Sequence, residues 1–182
     1  MARLLATSLG HFDRLELSVC QLLNRSSNRT LVRRSFSLVS WLGDGWFWYA
    51  LIGLYVLERG WSGVAPALHM LLTGAIGVLL YKLIKEFAVR ERPFITHSAI
   101  YCACAPLDKY SFPSGHTLHA VSFTLMLAHY SPGLLPGLIG FTILVALSRV
   151  ILGLHYPTDV AAGAVLGGTL ATVSLRIVTP LI

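Results

Sequence analysis

This chain of 182 residues is short of charge, short of cysteine and without a long polar stretch. Only 12% of its residues are Asp, Glu, Lys or Arg, against 55% hydrophobic ones, a balance far from that of a soluble domain. The shortage of charge excludes a large water-soluble catalytic module and leaves room for about five or six apolar helices of roughly 20 residues each. Cys20, Cys102 and Cys104 are an odd number with no CxxC pair, so neither a disulfide framework nor a zinc site is signalled. Cys102-Ala103-Cys104 is read as packing, with a soft-metal or redox role as the lesser alternative. His11, His69, His97 and His129 have no partner at ligand spacing, and no metal or cofactor is expected.

What the chain does have is positive charge and patterned apolar runs. Lys and Arg number 14 against 8 acidic residues, a net charge of +6. In so apolar a chain this suits anionic headgroups or phosphate groups, not nucleic acid. No obligate protein partner is evident. The first twenty-odd residues carry Leu4, Leu5, Leu9, Phe12, Leu15, Leu17 and Leu22, interrupted by Asp13, Arg14 and Glu16. That pattern fits neither a signal-peptide core nor a span, and predicts an amphipathic helix lying at the membrane interface. Residues 24–34, with Arg25, Arg29, Arg33 and Arg34, read as a loop held against headgroups. Spans are expected over about 39–58, 64–81, 114–130, 135–152 and 158–178. Within the last, Ala161 to Ala164 and Gly167-Gly168 supply small residues for close helix approach. The expected fold is therefore an all-α polytopic membrane helix bundle, a single domain over 1–182. It has five spans, or six if the N-terminal segment also inserts.

Counting passes through the bilayer places every unusual polar cluster on one face. These clusters are Lys85 to Pro93, Pro113-Ser114-Gly115-His116, and Ser148-Arg149 followed by His155 and Asp159. Ionisable residues at the ends of spans signal function by default. Lys85 and Arg92 are seven apart, about two turns, so a helix continued past the surface would present both on one side. With Arg149 they make three cations, and a guanidinium fork beside an ammonium suits a phosphoryl group with several negative oxygens. Ser114-Gly115-His116 falls at a helix start, where free N–H groups and the dipole favour an anion, and Pro113 is suited to open that helix. His155 and Asp159, four apart, share a face if the turn around Pro157 is helical. Asp159 would then hold one imidazole nitrogen and leave the other to attack phosphorus, with His116 protonating the departing oxygen.

These blocks resemble those of the type 2 phosphatidic acid phosphatase superfamily, which also includes vanadium haloperoxidases and glucose-6-phosphatase. Its pattern is lysine, six residues, arginine-proline; proline-serine-glycine-histidine; then serine-arginine, five residues, histidine, three residues, aspartate. Lys85, Arg92 and Pro93, Pro113 to His116, and Ser148, Arg149, His155 and Asp159 match it in order, a motif core over 85–159. The resemblance implies His155 as nucleophile, Asp159 as its partner and His116 as acid/base. It makes Lys85, Arg92, Ser114, Gly115, Arg149 and Ser148 the phosphate shell, with no metal needed. It also implies a bacterial inner-membrane enzyme hydrolysing a lipid phosphomonoester or diphosphate through a phosphohistidine. Undecaprenyl diphosphate is placed narrowly first, then phosphatidylglycerol phosphate or phosphatidic acid, among membrane lipids as partners.

Two alternatives stay open at this level: a lipid phosphotransferase, and a non-enzymatic carrier that binds phospholipid headgroups. Orientation is contested too. The basic residues outside the motif gather on the site's side, which by the positive-inside rule is cytoplasmic. The resemblance implies a periplasmic site instead, and cations that serve a substrate distort such a count. Asp44, between Gly43 and Gly45, reads as a turn residue ahead of a pocket residue, and His119 is balanced between pocket and packing.

Overall fold

The computed structural model describes the backbone of residues 2–181 and the side chains of residues 13–181. The apolar Leu4, Leu5, Leu9 and Phe12 of the expected amphipathic face, and His11, have side chains outside the described residues. Among the described residues every element is helical. The helices are α1 (Ala2–Asn24), α2 (Thr30–Gly43), α3 (Trp46–Arg59), α4 (Val64–Ala88), the short α5 (Pro93–Thr96), α6 (Gly115–Tyr130), α7 (Leu135–Ile151) and α8 (Pro157–Val178). Among the described residues three runs are long and apolar enough to cross a membrane: Trp46–Thr96, which contains the turn between α3 and α4, then Pro132–Ile151 and Pro157–Leu181. Their outer faces carry Leu57, Phe87 and Val165, all widely exposed, a pattern that suits a lipid solvent.

Two expectations are corrected. The arginine-rich stretch 24–34 is not a loop: a single 3-10 turn, Arg25–Asn28, leads into α2, and Arg33 and Arg34 are helical. The run expected as one span over 39–58 is broken at Asp44-Gly45, where Gly45 has φ 128°. A side chain is disfavoured at that angle, so the glycine permits the corner that aims Asp44 inward.

The core gathers Trp48, Met70, Ala120, Phe123, Met126, Leu127, Val145 and Ala171, from five helices. Helix α6 lies at its centre, and α8 approaches it through glycine. A Cβ at Gly163 would meet the Ser114 carbonyl, and one at Gly167 would fall inside the Leu118 carbonyl. Without side chains there the two backbones close up, as the small-residue run predicted. The close approach brings the start of α6 against the start of α8, where Ser114 N donates to Asp159 O at 3.0 Å. Asn24, at the end of α1, pins the far side. Its amide donates to the Tyr101 and Ile151 carbonyls at 2.9 Å each and accepts from Tyr101 N at 2.8 Å.

Candidate active site

Lys85, in the last turn of α4, is buried, its ammonium donating to Asp108 Oδ1 at 2.7 Å and to Tyr110 O at 2.8 Å. The helix does not run on to Arg92. It ends at Ala88, Val89 takes a left-handed φ of 44°, and Arg92 is extended. Proline at 93 disfavours helix at the residue before it. Lys85 and Arg92 therefore converge through a turn and not through two helical turns, and they meet on the same atom: Arg92 Nη2 donates to Asp108 Oδ1 at 2.6 Å. The rest of the guanidinium is fixed by backbone, Nε on Asp108 O at 3.1 Å and Nη1 on Leu154 O at 2.8 Å. Arg149, in the last turn of α7, is fully buried, its Nη1 donating to Ser40 Oγ while Nε has no partner.

Three cations and two histidines thus face a cavity of about 130 Å³ lined by Lys85, Arg92, Arg149, His116, His155 and Gly115, with Asp44 and Asp108 at its rim. It is sized for a headgroup and not an acyl chain. His155 sits between α7 and α8. Its Nε2 lies 3.4 Å from Arg92 Nη1, which orients a lone pair on that nitrogen, and its Nδ1 faces Asp159 Oδ2 across 3.6 Å. That gap is too long for a hydrogen bond, and Nδ1 is a buried polar atom without a partner. Burial and the neighbouring Arg149, Arg92 and Lys85 push its pKa well below the ordinary imidazole value, so the ring is neutral at neutral pH. The expected adjacency with Asp159 holds, but by a bend before α8 and not by a shared helix: α8 starts at Pro157.

Asp159 is wholly buried and held by groups that the motif reading did not include. Arg90 Nη1 donates to its Oδ1 at 2.7 Å, and Tyr156 N donates to Oδ2 at 2.8 Å. Arg90 lies over the Tyr156 ring and spends its other arm on Glu16 Oε2 at 2.7 Å. Glu16 also accepts from Thr158 N at 2.9 Å. Glu16, one of the charged residues that argued against α1 as a span, is therefore a buried anchor joining α1 to Asp159 through Arg90. Its sequence signal was a charged residue within an apolar helical run; Arg90 and Asp108 had the signal of charge beside the motif.

His116 follows the N-cap Ser114, as expected for a helix start, but Pro113 precedes the cap instead of opening the helix. Ser114 accepts from Thr117 N at 3.4 Å and bonds Thr117 Oγ1, so its hydroxyl serves the cap and does not line the cavity. Ser148 is likewise turned away, donating to Val145 O at 2.6 Å. His116 Nε2 faces Asp44 Oδ1 at 3.6 Å, so Asp44 is a pocket residue as well as a turn residue. Burial raises the pKa of Asp44, with Arg149 opposing. His119 both lines the cavity and packs, its Nε2–H donating to Gly74 O over 3.2 Å and its ring stacking on Phe123. Cys20, Cys102 and Cys104 are free thiols, and Cys102 donates to the Cys104 carbonyl.

Residues 66–182 match the family model of the PAP2 superfamily. The chain belongs to that superfamily. It is 36% identical over 135 residues to the decaprenylphosphoryl-5-phosphoribose phosphatase of Mycobacterium tuberculosis, covering 71% of this chain and 69% of that one. Against phosphatidylglycerophosphatase B of Bacillus subtilis it is 33% identical, over 63% of this chain and 57% of the relative. Among solved structures, LpxE of Aquifex aeolicus aligns with a TM-score of 0.75 at 26% identity, over 89% of this chain and 95% of that one. The two relatives from Mycobacterium tuberculosis and Bacillus subtilis are named as phosphatases of lipid phosphates, which agrees with the resemblance that the three motifs carried.

Proposed function

We propose that this chain is an integral membrane phosphatase that removes a terminal phosphoryl group from a lipid. The observation that carries the reading is His155 Nε2, on a neutral ring, among Lys85, Arg92 and Arg149 at one cavity with His116. In the first step Nε2 attacks phosphorus, the phosphorus–oxygen bond to the lipid breaks, and His116 gives its proton to the departing oxygen. As the N–P bond forms the ring becomes cationic, and closing the 3.6 Å gap lets Nδ1–H donate to Asp159. The three cations stabilise the charge on the transferring oxygens. Water activated by His116 then splits the nitrogen–phosphorus bond, releasing phosphate and restoring both histidines. This scheme assigns no step to a metal.

The substrate class is inferred from the setting of the cavity. The cavity shares Asp44, Leu107, His116 and Arg149 with a neighbouring groove that carries the exposed Trp41, an apolar approach along which a tail stays in lipid while the phosphoryl group enters. Polyprenyl-linked phosphates stand first, undecaprenyl diphosphate among them, ahead of phosphatidylglycerol phosphate and phosphatidic acid. The 36% identity to an enzyme named for a decaprenylphosphoryl substrate supports that order. Helices α3, α4, α6, α7 and α8 supply five spans in this reading, α1 lies at the interface, and the site faces the periplasm of a bacterial inner membrane. Reporter fusions after Tyr130 and at Ile182 test the orientation.

The deciding experiment measures phosphate release from those lipids, with chelator present, by detergent-purified protein and its His155→Ala variant. Release that survives chelator and vanishes in the variant is expected. Release retained by the variant would overturn the histidine mechanism. Appearance of the phosphoryl group on a second lipid instead of in water would make the protein a phosphotransferase.

A further inference from the structure

Asp108 occupies a position that the reaction must dispute. One oxygen of its carboxylate is bonded at once to Lys85 Nζ, at 2.7 Å, and to Arg92 Nη2, at 2.6 Å. The other Arg92 donors are committed, Nε to Asp108 O and Nη1 to Leu154 O and the edge of His155. Nη2 is thus the arm of Arg92 that remains for a phosphoryl oxygen, and it is the arm that Asp108 holds. A phosphoryl oxygen bonded to both cations would lie where Asp108 Oδ1 lies, and two anionic oxygens do not share such a point.

Three features make exchange feasible. Asp108 is more than a third exposed, whereas Lys85 and Arg92 are buried, so the carboxylate can turn outward while the cations stay. Leu107 beside it is widely exposed. The backbone on either side is pinned independently, Ala103 N to Leu152 O at 3.1 Å and Ser111 N to Arg90 O at 2.8 Å, so release needs no loss of the loop. Although burial pushes the Asp108 carboxyl upward, Lys85 and Arg92 outweigh it and hold the group ionised through neutral pH.

We propose that Asp108 is a resident counter-anion, displaced from Lys85 and Arg92 when a phosphoryl group binds and returning when phosphate leaves. A competitor of this kind weakens substrate and product phosphate by the same factor, because both must evict it. It leaves the transition state, reached after eviction, as well held relative to bound substrate as before. Ground-state binding is loosened without cost to the chemical step, and an anion that would otherwise persist among three cations is expelled. The inference rests on the phosphate-site reading above.

Equilibrium binding of inorganic phosphate to the detergent-purified protein tests it without turnover. Asp108→Asn keeps a weaker, neutral bridge and Asp108→Ala removes it. Phosphate is expected to tighten from wild type through Asn to Ala, by roughly ten-fold overall, with KM falling in parallel and kcat not rising. Should either folded variant bind phosphate no more tightly than wild type, Asp108 serves to arrange the cations and the proposal is overturned. If Ala fails to fold, Asn alone decides. Tighter phosphate binding by the variants combined with release from lipids that does not depend on His155 would retain the counter-anion and defeat the histidine mechanism. No phosphate binding by any form would defeat both.

Discussion

Two buried histidines at opposite ends of the bundle have opposite surroundings. His69, on α4, has both nitrogens occupied, Nδ1 with Tyr130 Oη and Nε2 with Ser174 Oγ, each at 2.7 Å, and Thr73 joins Ser174 at 2.8 Å. His155 has a long contact to Arg92 on one nitrogen and nothing bonded on the other. His69 therefore spends both nitrogens on holding helices together, while at the other end His155 and Arg149 each keep a buried nitrogen without a partner. Buried polar groups without partners are costly, and their concentration with three cations is what marks the site. Ion pairs gather in the same way: Lys85, Arg90, Arg92, Asp108 and Asp159 lie at the end of His155, with Arg149 beside them.

The sharpest break in that comparison exchanges the fates of the two histidines. His155→Ala removes the nitrogen proposed to attack phosphorus and should lower phosphate release by at least about 10⁴-fold, whereas His69→Phe should leave turnover per folded molecule unchanged. Assaying both variants against their folded fraction decides it. Equal losses would mean that the satisfied and unsatisfied ends differ in packing alone.

Arg90 is next in size, because it connects α1 to the site through Glu16 and Asp159. Arg90→Gln keeps a polar side chain, though a shorter one, and leaves the buried Asp159 and Glu16 without a counter-charge. With the guanidinium itself about a third exposed, the loss should be about 2 kcal/mol of stability, below the usual figure for a fully buried pair. Activity should fall with it, read as a lower unfolding temperature together with a lower kcat. An intact kcat in the folded fraction would show that Asp159 needs no fixing. Asp44→Asn is milder: it removes the charge facing His116 and should cost about ten-fold in kcat with KM little changed. A change confined to KM would make Asp44 a substrate-entry residue.

Much of this arrangement was legible before any coordinates. The motif spacing named His116, His155, Asp159, Lys85, Arg92 and Arg149, and hydropathy placed the helical runs from α4 onward, because both depend on local chemistry. What escaped were contacts between segments distant in sequence. Nothing near Glu16 announces Arg90, 74 residues on, and nothing near Asp108 announces the cations it bridges. Lys85 and Arg92 were expected together for a helical reason and meet for another, since Val89 turns the chain. Ser114 and Ser148 carried the motif but face backbone instead of the cavity. The corner at Gly45 needed φ 128°, which a glycine allows but does not require.

The smallest effect separates the two ends by acidity. His155 has its folded pKa depressed by burial and by Arg149, Arg92 and Lys85, while in the unfolded chain it titrates near its ordinary 6.5. A depressed folded value means that the unfolded state takes up the proton first as pH falls. Its contribution to stability is therefore complete above about pH 6.5 and declines below it. Replacing it with Gln removes that dependence, so between pH 7.5 and 5.5 the wild type should lose a few degrees more of unfolding temperature than His155→Gln. Each pKa unit corresponds to about 1.4 kcal/mol at most. Equal acid sensitivity in the two proteins would place His155 in a solvated setting, where Lys85, Arg92 and Arg149 would no longer keep it neutral and ready to attack phosphorus below its ordinary pKa.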